Sequence, residues 1–159
     1  ARRTVALLLA RGGVGAVADP LAKLLSSGPD AQVARELAIL TCFDLREADD
    51  PGAEYVAWLS SEGERDAWRW FVEATERREL ISPARAAFED GGSREAALFL
   101  LEVVRRCEPF LAERARRELE RLLGVEFLEL SLERGVGSHW LESAQELVDR
   151  VHAGPGGGE

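Results

Sequence analysis

Residues 1–43 read ARRTVALLLA, RGGVGAVADPLAKLLSS, GPD and AQVARELAILTCF in succession, and this stretch decides the fold. Residues 2–11 have a helical pattern, with Val5, Leu8 and Leu9 on one face, and Gly12-Gly13 ends it. Residues 14–26 space Val14, Val17, Leu21, Leu24 and Leu25 by three and four, the period of an amphipathic helix. Asp19-Pro20 either kinks this helix or starts it, with Asp19 as cap and Pro20 at the first helical position. Gly28 breaks the pattern. Pro29-Asp30 restarts it, and residues 30–43 carry Val33, Leu37, Ile39 and Leu40 as an apolar set. Three short helices punctuated by glycine and proline predict an all-α chain.

The same signals continue. DLREADD, residues 44–50, is a polar loop. Asp50-Pro51 combines an acceptor cap with proline at the first helical position, a strong start signal. Tyr55, Val56, Trp58 and Leu59 follow, and Glu62-Gly63 ends that helix. Asp66 caps the next, which holds Trp68, Trp70, Phe71 and Val72. Ser82-Pro83 repeats the start signal for a short helix with Phe88, closed by Gly91-Gly92. Ser93 caps residues 94–107, whose apolar set is Ala97, Leu98, Leu100, Leu101 and Val104. Pro109 opens a helix through Leu123, stopped by Gly124. Its apolar side is Leu111, Ala115, Leu119 and Leu122, and its Arg/Glu-rich side reads as a solvated face held by pairs such as Glu113–Arg117. VEFLELSLE, residues 125–133, mixes strand-like alternation with a helical reading, and the helix is preferred. Gly135-Val136-Gly137 is a loop. Ser138 caps the last helix, with Trp140, Leu141, Ala144, Leu147, Val148 and Val151 on its inner face. The total is about nine or ten short helices with loops of about two to seven residues, which makes successive helices antiparallel neighbours.

The segment Gly12-Gly13-Val14, Leu21, Leu24-Leu25-Ser26-Ser27, Asp30, Val33, Leu37 and Leu40 resembles an armadillo repeat. There a glycine-rich turn precedes a helix ending in a Leu-Leu-x-Ser pattern, and a short acidic turn opens a longer helix. Residues 93–123 look more like a HEAT-type helix pair. The resemblance implies a right-handed α-solenoid over residues 1–152, one helical-repeat domain, with 153–159 as a flexible glycine-rich tail. It also implies a scaffold that binds other proteins. Armadillo proteins that hold extended peptides use asparagines on the long helix. This chain has none, and Thr41-Cys42 stands near the expected place, so that mode of capture is not implied. The start inside a helix and the glycine-rich end lead to the expectation of a fragment of a longer protein or a processed chain.

Composition narrows the function classes. The chain has 159 residues, 46% hydrophobic and 31% charged, with a net charge of −9. Such acidity repels phosphate backbones and argues against nucleic acid as a ligand. No apolar run approaches the roughly 18 residues of a membrane helix. Lys23 is the single lysine, and Asn and Met are absent. That bias fits a GC-rich coding sequence and carries no mechanism. Cys42 and Cys107 lie in apolar helical contexts and read as buried thiols of a reducing compartment, with a cytoplasmic location expected and the nucleus as alternative.

No catalytic or metal signature emerges. His139 and His152 are thirteen residues apart, the cysteines lack Cys-x-x-Cys spacing, and no nucleophile stands in a Gly-x-Ser-x-Gly frame. Asp44, Glu47, Asp49 and Asp50 do not follow the order of a calcium loop. Gly13-Val14-Gly15-Ala16-Val17-Ala18 has the Gly-x-Gly-x-x-Ala form of a dinucleotide fingerprint. A repeat turn is the preferred reading, because a β-α-β unit needs parallel strands and Asp19-Pro20 would interrupt the phosphate-binding helix. Neither a cofactor nor a metal is expected, and the chain reads as a non-enzyme.

The candidate contact residues are aromatic. On a helix Trp68 and Trp70 stand about 200° apart, an arc wider than one core-facing stripe. Either both pack between neighbouring helices or one reaches the surface as an interface anchor. In the second case Trp68, Arg69, Trp70 and Arg77 form the partner-binding patch. The expected partner is another protein, through a basic or helical segment, with self-association as a further option. The rival reading is a compact acidic helical inhibitor or immunity-type protein that blocks a basic partner.

Overall fold

The computed structural model describes residues 1–78, 93–124 and 138–152. Among them the chain is all-helical, with no strand. The helices are α1 (Arg2–Arg11), α2 (Ala18–Ser26), α3 (Ala31–Thr41), α4 (Pro51–Ser61), α5 (Ala67–Glu76), α6 (Ser93–Arg106), α7 (Pro109–Leu123) and α8 (Ser138–His152), with a 3-10 turn at Gly15–Val17. The expected helix around Phe88, the segment 125–133 with the loop that follows it, and the tail 153–159 lie outside the described residues. The chain divides into two compact units, Ala1–Ala74 and Thr75–Glu159.

Local chemistry sets most helix ends. Asp30 caps α3 by accepting from the Gln32 and Val33 amides, each at 3.1 Å. Asp50 accepts from Ala53 at 3.0 Å, with Pro51 in the first turn of α4. Asp66 accepts from the amides of Trp68 and Arg69 at 3.0 and 3.1 Å. Each side chain satisfies amides that the helix leaves open, worth about 1 kcal/mol per cap. The glycine stop after α1 is a Schellman turn. Gly13 adopts φ 79°, its amide donates to Ala10 at 2.9 Å, and that of Val14 donates to Leu9 at 3.0 Å. A left-handed residue at that position favours glycine. Gly124, at φ 68°, ends α7 in the same conformation.

The start of α2 departs from the sequence reading. Residues 14–26 are a 3-10 turn followed by a helix capped at Val17, without a side-chain cap. Asp19 takes a bidentate pair from Arg65 instead, Nε at 2.6 Å and Nη2 at 3.1 Å. The Arg65 Nη1 donates to the carbonyls of Glu62 and Gly63, which ties the α4–α5 loop to the first turn of α2. Gly15 makes this closure possible: a Cβ there would lie 2.8 Å from the Arg65 carbonyl carbon.

Within residues 1–74, α2 packs on α1, α3 and α4, and α1 also packs on α3. The core gathers Leu7, Leu21, Leu25, Val33, Leu37, Leu40, Tyr55, Leu59 and Trp70 with small residues such as Ala6, Ala18 and Ala22. The α2–α4 contact is very close, since a Cβ on Gly52 would sit 2.6 Å from Ser26 Cα. Tyr55 ties down the loop before α4. Its hydroxyl donates to the Phe43 carbonyl at 2.7 Å and accepts from the Leu45 amide at 3.2 Å. Burial raises its pKa.

In the second unit α6 packs on α7 and α8. Leu100, Leu101 and Val104 of α6, Leu111, Ala115 and Leu119 of α7, and Ala144 and Val148 of α8 are buried. Part of the Arg/Glu side of α7, read from sequence as solvated, is inside: Glu113 is 0% exposed, and Arg114, Arg116 and Arg117 are buried, while Glu118 and Glu120 are half-buried and Arg121 is exposed. Glu113 accepts from Arg116 at 2.8 and 2.6 Å and from Arg117 at 3.2 Å. Arg114 donates to Glu118 at 2.9 Å, and Arg116 also reaches Glu120. Burial alone would lower the Arg116 pKa; the bonds and charge of Glu113, with those of Glu120, outweigh it and raise the value. The i, i+3 and i, i+4 spacing that suits a solvated face serves equally to pair charges taken out of water.

Candidate functional site: the solvent face of the first helix

The aromatic residues singled out by the sequence separate. Trp70 is 1% exposed and belongs to the core of residues 1–74. Its ring lies 5.5 Å from that of Trp58, which in turn lies 5.3 Å from Phe43. Its Nε1 donates to Glu62 at 3.3 Å. Trp70 is thus corrected from surface anchor to core, because the hydrogen bond to Glu62 lets the indole be buried without an orphaned N–H. Trp68 is half-buried, 5.3 Å from the Phe71 ring. Arg69 is half-buried and donates to Glu62 at 2.9 Å, with its Nε 3.6 Å from Glu73. Arg77 is exposed. The four do not form one continuous exposed patch.

A second place is a concavity of about 530 Å³ where α3 and α4 begin. Leu25, Pro29, Ala34 and Pro51 give it an apolar floor, and Asp30, Asp49, Asp50 and Arg46 line it. Its polar groups are largely engaged within the chain. Asp30 and Asp50 cap their helices, and Arg46 holds Asp44 through two bonds of 2.7 Å. Asp30 also takes Arg3 at 2.7 Å, and that pairing, with the Val33 amide, brings its pKa down to about 2. Among the described residues no group of three His, Cys, Asp or Glu side chains could hold a metal ion.

The third place was not singled out from sequence. Helix α1 buries Ala6, Leu7 and Ala10, whereas Val5, Leu8 and Leu9 face solvent at 54%, 63% and 41% exposure. The face recognised in the sequence is real but turned outward. The small Ala6 and Ala10 permit a close approach to the neighbouring helices, with Leu7 filling the space between. At about 100° per residue the outward stripe spans an arc of about 100°, and its centre lies about 160° from the buried one. Val14 extends the stripe at 40% exposure. The Schellman turn holds its amide on Leu9 and so brings the two residues together, as that turn commonly does. Arg2 and Arg11 border the stripe, and α1 contains no acidic residue. Two opposed apolar faces on one helix provided the signal that could have found this site.

The dinucleotide reading fails on geometry. Val5–Leu9, the strand such a fingerprint needs, is helical, and the space over Gly15 is filled by the Arg65 backbone. Neither cysteine is in a disulfide. Cys42 is buried, in a left-handed conformation at φ 55° that ends α3, and Cys107 is half-buried. No helix among the described residues is long and apolar enough to cross a membrane.

No family model matches the chain, and neither a curated protein nor a solved structure is significantly similar to it.

Proposed function

We propose that the chain is a protein–protein interaction module of the armadillo/HEAT kind, acting through shape and apolar contact without a catalytic centre. One observation carries the reading: α1 presents Val5, Leu8 and Leu9 to solvent while burying its opposite face. A helix that is apolar on two sides suits a row of stacked helices, where each member is covered from both directions. The contacts of α1 with α2 and α3, after a glycine turn, fit a three-helix repeat unit. Such a scaffold would work inside the cell, where Cys42 and Cys107 stay reduced.

The test is site-specific photo-crosslinking from position 8 of the full chain in the cell, with the same probe at exposed Ser60 as the reference. A defined protein adduct from position 8, abolished by Val5→Asp and absent from position 60, is the expected result. Saturable turnover of a small molecule by the purified chain would overturn the reading.

The acidic-inhibitor alternative draws on the concavity bordered by Asp30, Asp49 and Asp50. It requires a basic partner and an affinity that falls steeply with salt, where an apolar contact responds weakly.

A further inference from the structure

Resting on the interaction-module reading, we infer that the concavity where α3 and α4 begin takes an arginine side chain of a partner protein. The alkyl stem of that arginine lies on the apolar floor, and its guanidinium meets Asp49 and Asp50. The floor is made by Leu25, Pro29, Ala34 and Pro51, and the space is about 530 Å³. Gly28, on its wall, leaves the space clear, since nothing lies within 4 Å of a Cβ placed there.

The charges that line the concavity do not cancel. Asp30 is matched by Arg3, through bonds of 2.7 and 3.1 Å, and Arg46 is matched by Asp44, through two bonds of 2.7 Å. Asp50 gives Oδ1 to the Ala53 amide at 3.0 Å, and its other oxygen is open to a donor. Asp49 is exposed and forms no ion pair among the described residues. Two unmatched carboxylates beside an apolar floor suit a cation carried on an apolar stem, which is what a basic side chain offers. Arginine suits them better than lysine. Guanidinium is less strongly hydrated than ammonium, and its planar fork engages carboxylate oxygens in pairs. The net charge of −9 adds attraction for a basic partner at close range.

The occupant belongs to a protein segment. Asp49 and Asp50 are both exposed, and an ion pair at such a rim is worth at most about 1 kcal/mol. A lone guanidinium would be held too weakly, so residues on either side of the arginine must supply the remaining contact against the prolines. A metal ion does not fit, because no group of three His, Cys, Asp or Glu side chains among the described residues could hold one.

The probe is a pair of labelled, end-blocked peptides identical except at the centre, where one has arginine and the other citrulline, its neutral isostere, each flanked by leucines. Anisotropy titration with the full chain at physiological salt should give saturable binding of the arginine peptide. The citrulline peptide should bind about fivefold more weakly, the sum of two rim pairs. Asp49→Asn should weaken the arginine peptide about threefold and leave the citrulline peptide unchanged. Gly28→Phe, which fills the concavity, should weaken both at an unchanged thermal midpoint. Equal binding of the two peptides, binding of neither, or an arginine preference that survives Asp49→Asn overturns the inference. So does free arginine that displaces the peptide at equal concentration, or a dimer in sedimentation that Asp49→Asn abolishes. A protein adduct from position 8 alongside any of these results would remove this inference and leave the interaction-module reading standing.

Discussion

Replacing Gly52 by alanine separates two effects of opposite sign. Helix propensity alone favours alanine over glycine by up to about 1 kcal/mol, and Gly52 lies in the first turn of α4. The packing says otherwise. A Cβ at this position would stand 2.6 Å from Ser26 Cα and 2.7 Å from the Leu25 carbonyl carbon, and closer still to the Ser26 amide nitrogen. Carbon atoms rest at about 3.5–4.0 Å, so α2 and α4 must separate by about 1 Å. The obstacle is backbone, which has no rotamer to turn aside. Separation loosens Leu21, Leu25, Tyr55 and Leu59, all buried in that core. Overpacking of this kind costs about 1–3 kcal/mol, occasionally more, and a backbone clash belongs at the upper end. The expected net loss is about 2 kcal/mol, or about 8–16 °C for a unit of this size. Urea and thermal unfolding followed by tryptophan emission measures it, since Trp58, Trp68 and Trp70 all belong to residues 1–74. Gly28→Ala is the control: nothing lies within 4 Å of a Cβ there, and the expected change is within about 0.5 kcal/mol. A Gly52→Ala chain as stable as the unmodified one would refute the close α2–α4 contact.

Trp70→Ala should lower stability by about 3–5 kcal/mol, the range for large core truncations, and abolish cooperative melting of residues 1–74 in calorimetry; a small change would return Trp70 to the surface. Asp30, held at about 2 against an ordinary value of 3.8, stabilises the fold fully above about pH 4 and loses that contribution as the pH falls toward 2. Asp30→Ala should therefore flatten the acid limb of stability against pH and, with the cap gone, cost about 1 kcal/mol at neutral pH. Burial, with the nearby Glu108 charge, pushes the Cys107 thiol up to about 11. Its reaction with a disulfide reagent at pH 8 should be slow and should accelerate up to about pH 11; fast labelling at neutral pH would contradict that environment.

What the sequence makes legible here is what acts over a few residues. Asp50 and Asp66 were readable as caps because each carboxylate serves amides two or three positions ahead. Gly13 and Gly124 were readable as stops because a left-handed residue is a local demand. The start of α2 was not, because the partner that claims Asp19 is Arg65, 46 positions away, and Gly15 is explained by the same distant backbone. Angular position alone could not choose between Trp68 and Trp70, since a helical wheel gives separation and not the direction of the core. On α1 the wheel found the right stripe, and alanines on the other side took the buried role. The burial of the α7 arginines escaped for a related reason. The pairing of Glu113 with Arg116 and Arg117 is written within one helical turn, whereas their removal from water depends on what packs around the helix.

That last arrangement bears on how the chain can change over time. Arg114, Arg116 and Arg117 enter the interior alongside Glu113, Glu118 and Glu120 on the same helix, so most of the neutralising charge travels with the element that needs it. Removing one member strands its counterpart at a cost of about 3–5 kcal/mol, while exchanging a whole pair for apolar side chains of similar volume is often neutral or favourable. Viable descendants of this helix should therefore differ by paired replacements, such as Glu113 together with its arginines, and single steps between them should be rare.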